Sequence, residues 1–166
     1  AIALTGSGHR TLTLAGTNTG WNTLDRELAD PATGQTTLAK LGTGTWRLLN
    51  TTSTFSGGVN ISGGTLIAWF AGTMPTGAGK GNVAVNGAGI LDTNGTSHTL
   101  NGLDGNGTVL HTANSRLLTL GNGDAAGSFS GTINVTGGTL GLVKIGMGVQ
   151  TLSGISNYNG STTAVG

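Results

Sequence analysis

Residues 55–66 read FSGGVNISGGTL, and residues 129–140 repeat this pattern as FSGTINVTGGTL. A third copy, YNGSTTAVG, occupies residues 158–166. A second unit, KLGTGTWRL at residues 40–48, returns as KIGMGVQTL at residues 144–152. Both times the second unit precedes the first by the same short interval, to within one residue. A unit that recurs in this way predicts a repeat architecture, in which each copy folds as one small element.

Short strands separated by glycine and asparagine turns are the second feature of the chain. Apolar and small polar residues alternate in segments such as residues 12–14 and 83–85, which is the period of a β-strand. The 33 glycines and the charged fraction of 8% favour strands and turns over long helices. Disorder is the alternative for a glycine-rich chain, but disordered chains usually carry many charges and no such alternation. The pattern therefore predicts an all-β protein.

Together, the strands and repeats predict a right-handed, single-stranded parallel β-helix (β-solenoid). A coil of two or three strands uses about 20 residues, so the chain is expected to form about seven or eight coils. Each coil leaves its apolar interior open, and the coils above and below cover it. We expect residues 1–166 to form a single solenoid segment, with residues 20–36 as a protruding loop.

Charge and hydropathy exclude several classes of partner. The net charge is +1 and the basic residues are scattered, so we expect no nucleic-acid partner. The longest apolar run covers residues 66–71, far short of the roughly 20 residues that span a bilayer, so we expect no membrane insertion of this segment. Cysteine is absent, which excludes disulfides and thiolate metal sites.

The repeated units resemble the autotransporter-associated β-strand repeat of bacterial passenger regions. The shared pattern is Lys-x-Gly-x-Gly-x-x-x-Leu, an aromatic-x-Gly turn, and a strand ending in Gly-Gly-Thr-Leu. Residues 40–66 follow it throughout, residues 129–140 and 144–166 follow it in part, and residues 67–128 depart from it. The resemblance covers about half of the chain. It implies a parallel β-helix and an extracellular or bacterial cell-surface location, and it says little about activity.

Enzymatic activity has to be weighed, because polysaccharide-degrading lyases and hydrolases use parallel β-helices. Such sites need clustered carboxylates or a calcium ion held by carboxylates, and the chain has six acidic residues. Asp25, Glu27 and Asp30 lie close together beside Arg26. Our preferred interpretation is a solvated loop with local charge pairing.

A second group of polar residues lies in the middle of the chain. Asp92, Asp104 and Asp124 could align on neighbouring coils, with His98 and His111 between them. None of them has a recognisable ligand spacing, and residues 121–124, GNGD, match half of a calcium-binding repeat that needs tandem copies. We therefore expect no catalytic residue, no metal site and no cofactor.

Aromatic residues are the candidates for partner contact. Trp21, Trp69 and Phe70 could form a sugar-binding or protein-binding face. The competing interpretation places Trp46 and Phe70 in the core or at a corner, and Trp21 in the loop beside Asp25.

The terminal segments predict self-association. The chain starts on a strand-like sequence and stops inside a repeat, and neither terminus has a polar or helical cap. We expect Ile2, Leu4, Thr163 and Val165 to take part in end-to-end stacking with further repeats or copies.

Three functions follow, in order of preference. The first is a structural rod or fibre element of a secreted or surface protein. The second is an adhesin-type passenger that binds a host or matrix glycan or protein through its lateral face. The third is a polysaccharide-degrading enzyme.

Overall fold

The computed structural model describes Ile2, Leu4 and residues 6–166. The strand-like sequence at the start of the chain includes Ala3, which lies outside the described residues. Fifteen strands and one short 3₁₀ turn at Asn122–Asp124 make up the described structure, and all the strand pairs are parallel. No helix among these residues has the length and apolar content needed to cross a membrane. The predicted all-β parallel solenoid is confirmed.

Seven strands form one side of the solenoid, which we call face A. They stack in chain order, with each strand hydrogen-bonded to the strand one turn later. Two of them, β5 and β6, bend at a corner and continue onto the next side, so only their first halves belong to face A. The strands of face A are β1 (Arg10–Leu14), β3 (Thr36–Lys40), β5 (Val59–Ala68), β6 (Val83–Asp92), β8 (Leu103–Gly105), β11 (Gly127–Phe129) and β14 (Gln150–Leu152).

Two further sides complete the coil. Face B contains the second halves of β5 and β6, and it is completed by β2 (Asn22–Leu24), β4 (Thr45–Leu48), β9 (Thr108–His111) and β12 (Thr132–Val135). Face C is a separate four-stranded sheet of β7 (His98–Thr99), β10 (Ser115–Leu120), β13 (Thr139–Lys144) and β15 (Thr162–Ala164).

The paired residues give the length of each turn. Arg10 pairs with Thr36, 26 positions later, and Val83 pairs with Leu103, 20 positions later. The other face-A pairings fall between these two spacings, so the seven strands of this face are separated by six turns. The expected seven or eight coils were slightly too many, because most turns are longer than 20 residues.

The segment expected to protrude, residues 20–36, lies largely within the first turn. Asn22–Leu24 forms β2 and pairs with β4, and Leu28 is buried and bridges to Ile2. Asp25 and Arg26 are the strongly exposed charged residues of this segment. The segment is therefore part of the coil wall, because Leu24 and Leu28 supply apolar side chains to the interior.

Inward side chains form continuous rows along the solenoid. On face A, Leu38, Val59, Val83 and Leu103 occupy successive positions of one row, and each is at most 2% exposed. Burial of one such side chain stabilises the fold by about 1.5–3 kcal/mol. Each member is covered by the members one turn before and after, so stacking is what closes the core.

The two copies of each repeat lie on different sides of the solenoid. In the first copy, residues 59–61 lie on face A and residues 65–68 on face B. In the second copy, residues 132–135 lie on face B and residues 139–144 on face C. The Lys-x-Gly-x-Gly unit likewise follows a face-A strand at Lys40 and a face-C strand at Lys144. The repeat therefore encodes a corner between two strands and no particular face.

Glycine at the Gly-Gly-Thr-Leu corner is required by two constraints. Gly64 has φ of +61°, and a Cβ there would lie 2.4 Å from the carbonyl oxygen of Gly44. Its counterpart Gly138 has φ of +75° and an even closer approach to Asn114 O. Both positions exclude a side chain because the turn before runs directly against them.

We predict that Gly64→Ala lowers the free energy of unfolding by about 3 kcal/mol or more, from the strained φ together with the contact to Gly44. Gly87→Ala is the matched control, since Gly87 has φ of +53° and nothing within 4 Å of a Cβ. It should cost about 1–2 kcal/mol. Urea unfolding measures both, and equal losses would contradict a role for close approach.

The lysine of the repeat binds backbone carbonyl groups at a corner. Lys40 points inward between Leu14 and Ile61 and is fully buried. Its Nζ donates to the carbonyls of Leu41 and Gly42, at 2.9 Å each, and to Gly63 of the following turn at 2.8 Å. Burial lowers the pKa of Lys40. The ammonium group thus joins carbonyl oxygens of two successive turns at one corner.

Lys40→Met should lower the free energy of unfolding by about 2 kcal/mol, because buried carbonyls lose their charged donor while the apolar stem is kept. Lys144→Met is the comparison variant: Lys144 is half-buried and donates to two carbonyls, those of Ile145 and Gly146. Lys144→Met should lower the free energy of unfolding by less. Thermal and urea unfolding of the two variants test the order, and a larger loss at Lys144 would refute this account of Lys40.

Candidate partner-binding site

Two of the three aromatic candidates meet on the lateral surface. Trp21 directly precedes β2, and Trp69 directly follows the face-B half of β5, two turns later. Their ring centroids lie 5.5 Å apart with an interplanar angle of 68°, an edge-to-face arrangement. Stacking of β2, β4 and β5 in register brings together residues that are 48 positions apart in the chain.

Arg47 lies between the two rings, and sequence reasoning did not identify it. On face B it occupies an outward row with Thr23 before it and Ile67 after it. Its Cζ lies 5.0 Å from the Trp21 ring centroid and 5.2 Å from that of Trp69. The Nε donates to Thr23 Oγ1 at 2.8 Å. We call Trp21, Arg47 and Trp69 the tryptophan–arginine patch.

The patch is open to solvent. Trp21 is 64% exposed, and Trp69 and Arg47 are half-buried. In the part of the chain that the structure describes, neither terminal nitrogen of Arg47 has a protein hydrogen-bond partner, and no carboxylate lies within 4.0 Å of this guanidinium. An unpaired cation held between aromatic rings is suited to contact with an anionic partner.

Phe70, the third candidate, and Trp46, named in the competing interpretation, are placed differently. Phe70 is 47% exposed in the turn that follows Trp69, so it lies at a corner and outside the core. It lies in this turn because its carbonyl accepts hydrogen bonds from Thr73. Trp46 is half-buried, packs against the core and donates from Nε1 to Ala15 O at 3.1 Å.

The acidic residues near the start of the chain have separate roles. Asp25 is exposed and lies 3.8 Å from Arg26. Asp30 is a structural anchor: its carboxylate accepts from the Thr36 amide and from both the amide and the hydroxyl of Ser56. Burial raises the pKa of Asp30, but these hydrogen bonds and Lys80 outweigh it, and the net pKa is lowered.

The five residues of the mid-chain group do not form one site. Asp92 lies at the end of β6, where it accepts from the Asn94 amide, and burial raises its pKa. Asp104 is on face A and accepts from Asn82 and from the Ser128 amide. Within the described ranges, no three His, Cys, Asp or Glu side chains come together in a metal-binding group.

Asp124 belongs to a corner. It closes the 3₁₀ turn of the GNGD segment with φ of +58°, and its Oδ1 accepts from the Met147 amide at 2.9 Å. The preceding Asn122 donates from its side chain to Thr76 Oγ1 at 2.6 Å. Asp124 therefore joins neighbouring turns, and Asn122 bonds to a residue two turns earlier.

The two mid-chain histidines meet inside the solenoid. His98 and His111 are both buried, and both contact Thr93. His98 Nε2 lies 3.2 Å from Thr93 O, and His111 Nδ1 lies 2.7 Å from Thr93 Oγ1. Burial lowers the pKa of His98, and the neighbouring His111 adds to that effect. A histidine in this position is neutral at physiological pH.

Acid should weaken the fold through His98. Its pKa is lower in the folded chain, so the unfolded chain binds the proton more tightly. The contribution of His98 is therefore fully present above the ordinary pKa of 6.5 and is lost as the pH falls below it. We expect the free energy of unfolding, measured in urea at pH 7.5 and 5.0, to fall less on acidification in His98→Gln than in the native chain. His9→Gln is the control because His9 is exposed, and it should show the same acid-induced decrease as the native chain. The same decrease in His98→Gln would contradict a role for His98 in the acid sensitivity.

The residues expected at the stacking surfaces lie at the two extremes of the described solenoid. Ile2 and Leu4 are half-buried and pack against the core, and the Ile2 amide donates to Glu27 O at 2.7 Å. Thr163 pairs with Val143 within face C. Val165 is 60% exposed, and its amide donates to Lys144 O at 2.7 Å.

Comparisons with known proteins concern the repeats. Residues 38–68 and 142–165 match the passenger-associated-transport-repeat family. An 82-residue stretch, 49% of this chain, is 43% identical to the adhesin BmaC autotransporter of Brucella suis biovar 1 (strain 1330) and spans 2% of that protein's length. No solved structure matches the chain significantly. Each matched repeat runs from a strand through its Lys-Gly corner to a strand one turn later, so the resemblance to autotransporter passenger repeats is confirmed.

Proposed function

We propose that this chain is a structural rod element of a secreted or surface-displayed bacterial passenger, extended by end-to-end stacking of further coils. The observation that carries the proposal is the parallel ladder, in which strands of every side receive their hydrogen-bond partners from the next turn. The match to a small part of a long adhesin autotransporter supports a surface location. The structural roles of Asp30, Asp104 and Asp124 support a non-enzymatic function.

The edge of β15 presents backbone groups for such stacking. Ser161 O and Val165 N bond to β13, so the alternate residues Thr162 and Ala164 direct their amides and carbonyls away from it. An edge of this kind can pair with another strand by β-augmentation. A further coil that continues the ladder would satisfy these groups.

Apolar side chains of the last turn support the same proposal. Leu152 continues the row of Phe129, yet it is 40% exposed whereas Phe129 is 1% exposed. A coil stacked on this turn would cover Leu152 as Leu152 covers Phe129. The other strongly exposed apolar residues of this region are Met147, Val149, Ile155 and Val165.

Electron microscopy and sedimentation velocity of the purified chain test stacking. We expect filaments about as wide as one solenoid, with a repeat of roughly 34 Å from seven rungs at about 4.8 Å each. Ala164→Pro removes an amide that faces away from β13 and should abolish filaments while leaving the strand signal in circular dichroism. Trp21→Ala, on the lateral face, is the control and should keep them. Native chain that stays monomeric at all concentrations would refute end-to-end stacking.

A second candidate function is adhesion through the lateral face. The observation that favours it is the tryptophan–arginine patch, where two aromatic rings flank a cation that has no acidic partner among the described residues. Tryptophan and arginine are the residues that most often dominate binding energy at protein surfaces. A rod that carries such a patch would serve both as spacer and as contact surface.

A further inference from the structure

We propose that the tryptophan–arginine patch binds a carboxylate-bearing sugar unit of an acidic polysaccharide. This inference rests on the lateral-adhesion function and names its ligand class. Arg47 would take the carboxylate, and the rings of Trp21 and Trp69 would contact the apolar faces of the sugar.

The first step of the argument concerns charge. Arg47 keeps its guanidinium 5.0 Å and 5.2 Å from two indole rings and uses Nε for Thr23. Across the described residues, the terminal nitrogens have no protein acceptor. A guanidinium binds carboxylates through two parallel hydrogen bonds, and the flanking rings restrict its rotation. The site is therefore arranged for one planar anion.

The second step concerns the aromatic rings. Trp46 uses its indole N–H within the fold, where it donates to Ala15 O. Among the described residues, the indole N–H groups of Trp21 and Trp69 have no protein acceptor. An indole supplies a flat apolar surface with a hydrogen-bond donor at its edge. A pyranose needs the same combination, since its C–H faces are apolar and its rim carries hydroxyl groups.

The third step separates a sugar from a protein partner. A stable protein interface buries about 800 Å² on each side around an apolar centre. The patch contains three side chains, and the adjacent outward row on face B continues with Thr45 and Thr65, which are polar. Because it is small and bordered by hydroxyl groups, the patch fits one or two sugar units of an extended polymer.

Binding to matched polymers tests the inference. The probes are polygalacturonate, alginate and hyaluronan, each compared with its carboxyl-reduced form by isothermal titration at low and moderate salt. We expect at least one acidic polymer to bind at least tenfold more tightly than its reduced form. Arg47→Gln should remove this preference, and Trp21→Ala should weaken binding to both forms at least tenfold.

Arg116→Gln is the matched control, because Arg116 is an exposed arginine on face C, away from the patch, and this variant should bind as the native chain does. Circular dichroism and melting temperature establish that every variant is folded.

The outcomes separate the two levels of the proposal. Equal binding of acidic and reduced polymers that is lost in Trp21→Ala would overturn the carboxylate assignment and leave lateral adhesion standing. Binding that survives Trp21→Ala would overturn the patch as the site. Absence of binding to all three acidic polymers would overturn the inference. Lateral adhesion to a protein would then be tested by cells that display the passenger on a protein-coated surface. Attachment that Trp21→Ala reduces would support it, and unchanged attachment would refute it.

Discussion

Every part of this molecule depends on parallel strands stacking in register, one turn above another. A single turn has no interior, because its inward side chains need neighbours along the solenoid axis to exclude water. The face-A row of Leu38, Val59, Val83 and Leu103 shows how this works, since the covering atoms of each residue come from the turns before and after it. The same register also positions the surface. Trp21, Arg47 and Trp69 meet because β2, β4 and β5 align residue by residue.

The corners decide how closely the turns can approach. Gly64 and Gly138 leave no room for a Cβ, because a carbonyl of the preceding turn occupies that space. Carbonyl groups at a bend cannot all pair within a flat ladder, and Lys40 supplies the missing donors from inside the core. Asp30 and Asp124 have the opposite role at other bends, where their carboxylates accept hydrogen bonds from backbone amides of the next turn. Several of the few charged residues thus join turns, and Arg47 differs from them because its guanidinium also lies between two indole rings.

Sequence reasoning identified the repeat and the strand composition, because each is a local pattern. Trp21 and Trp69 were named as candidates for partner contact, but Arg47, which lies between them, was not. The two tryptophans are more than 20 residues from Arg47 in the chain. Only the register between β2, β4 and β5 places Arg47 between them, and the sequence does not give that register. The expected loop at residues 20–36 illustrates the same difficulty. Leu28 looked like part of a charged insertion, and only its pairing with Ile2 reveals that it belongs to the core.

The amino-acid order alone established that this chain folds as stacked β-coils, since glycine corners and alternating strands recur as a unit that has no other way to bury its apolar side chains. It also established where corners occur, because positive φ and close approach select glycine locally. The folded molecule added the side on which each corner lies. One motif turns from face A to face B at Gly64 and from face B to face C at Gly138. On face A the turn length varies between 20 and 26 residues. The side on which a residue lies therefore depends on the lengths of all the turns before it, which only the folded chain shows.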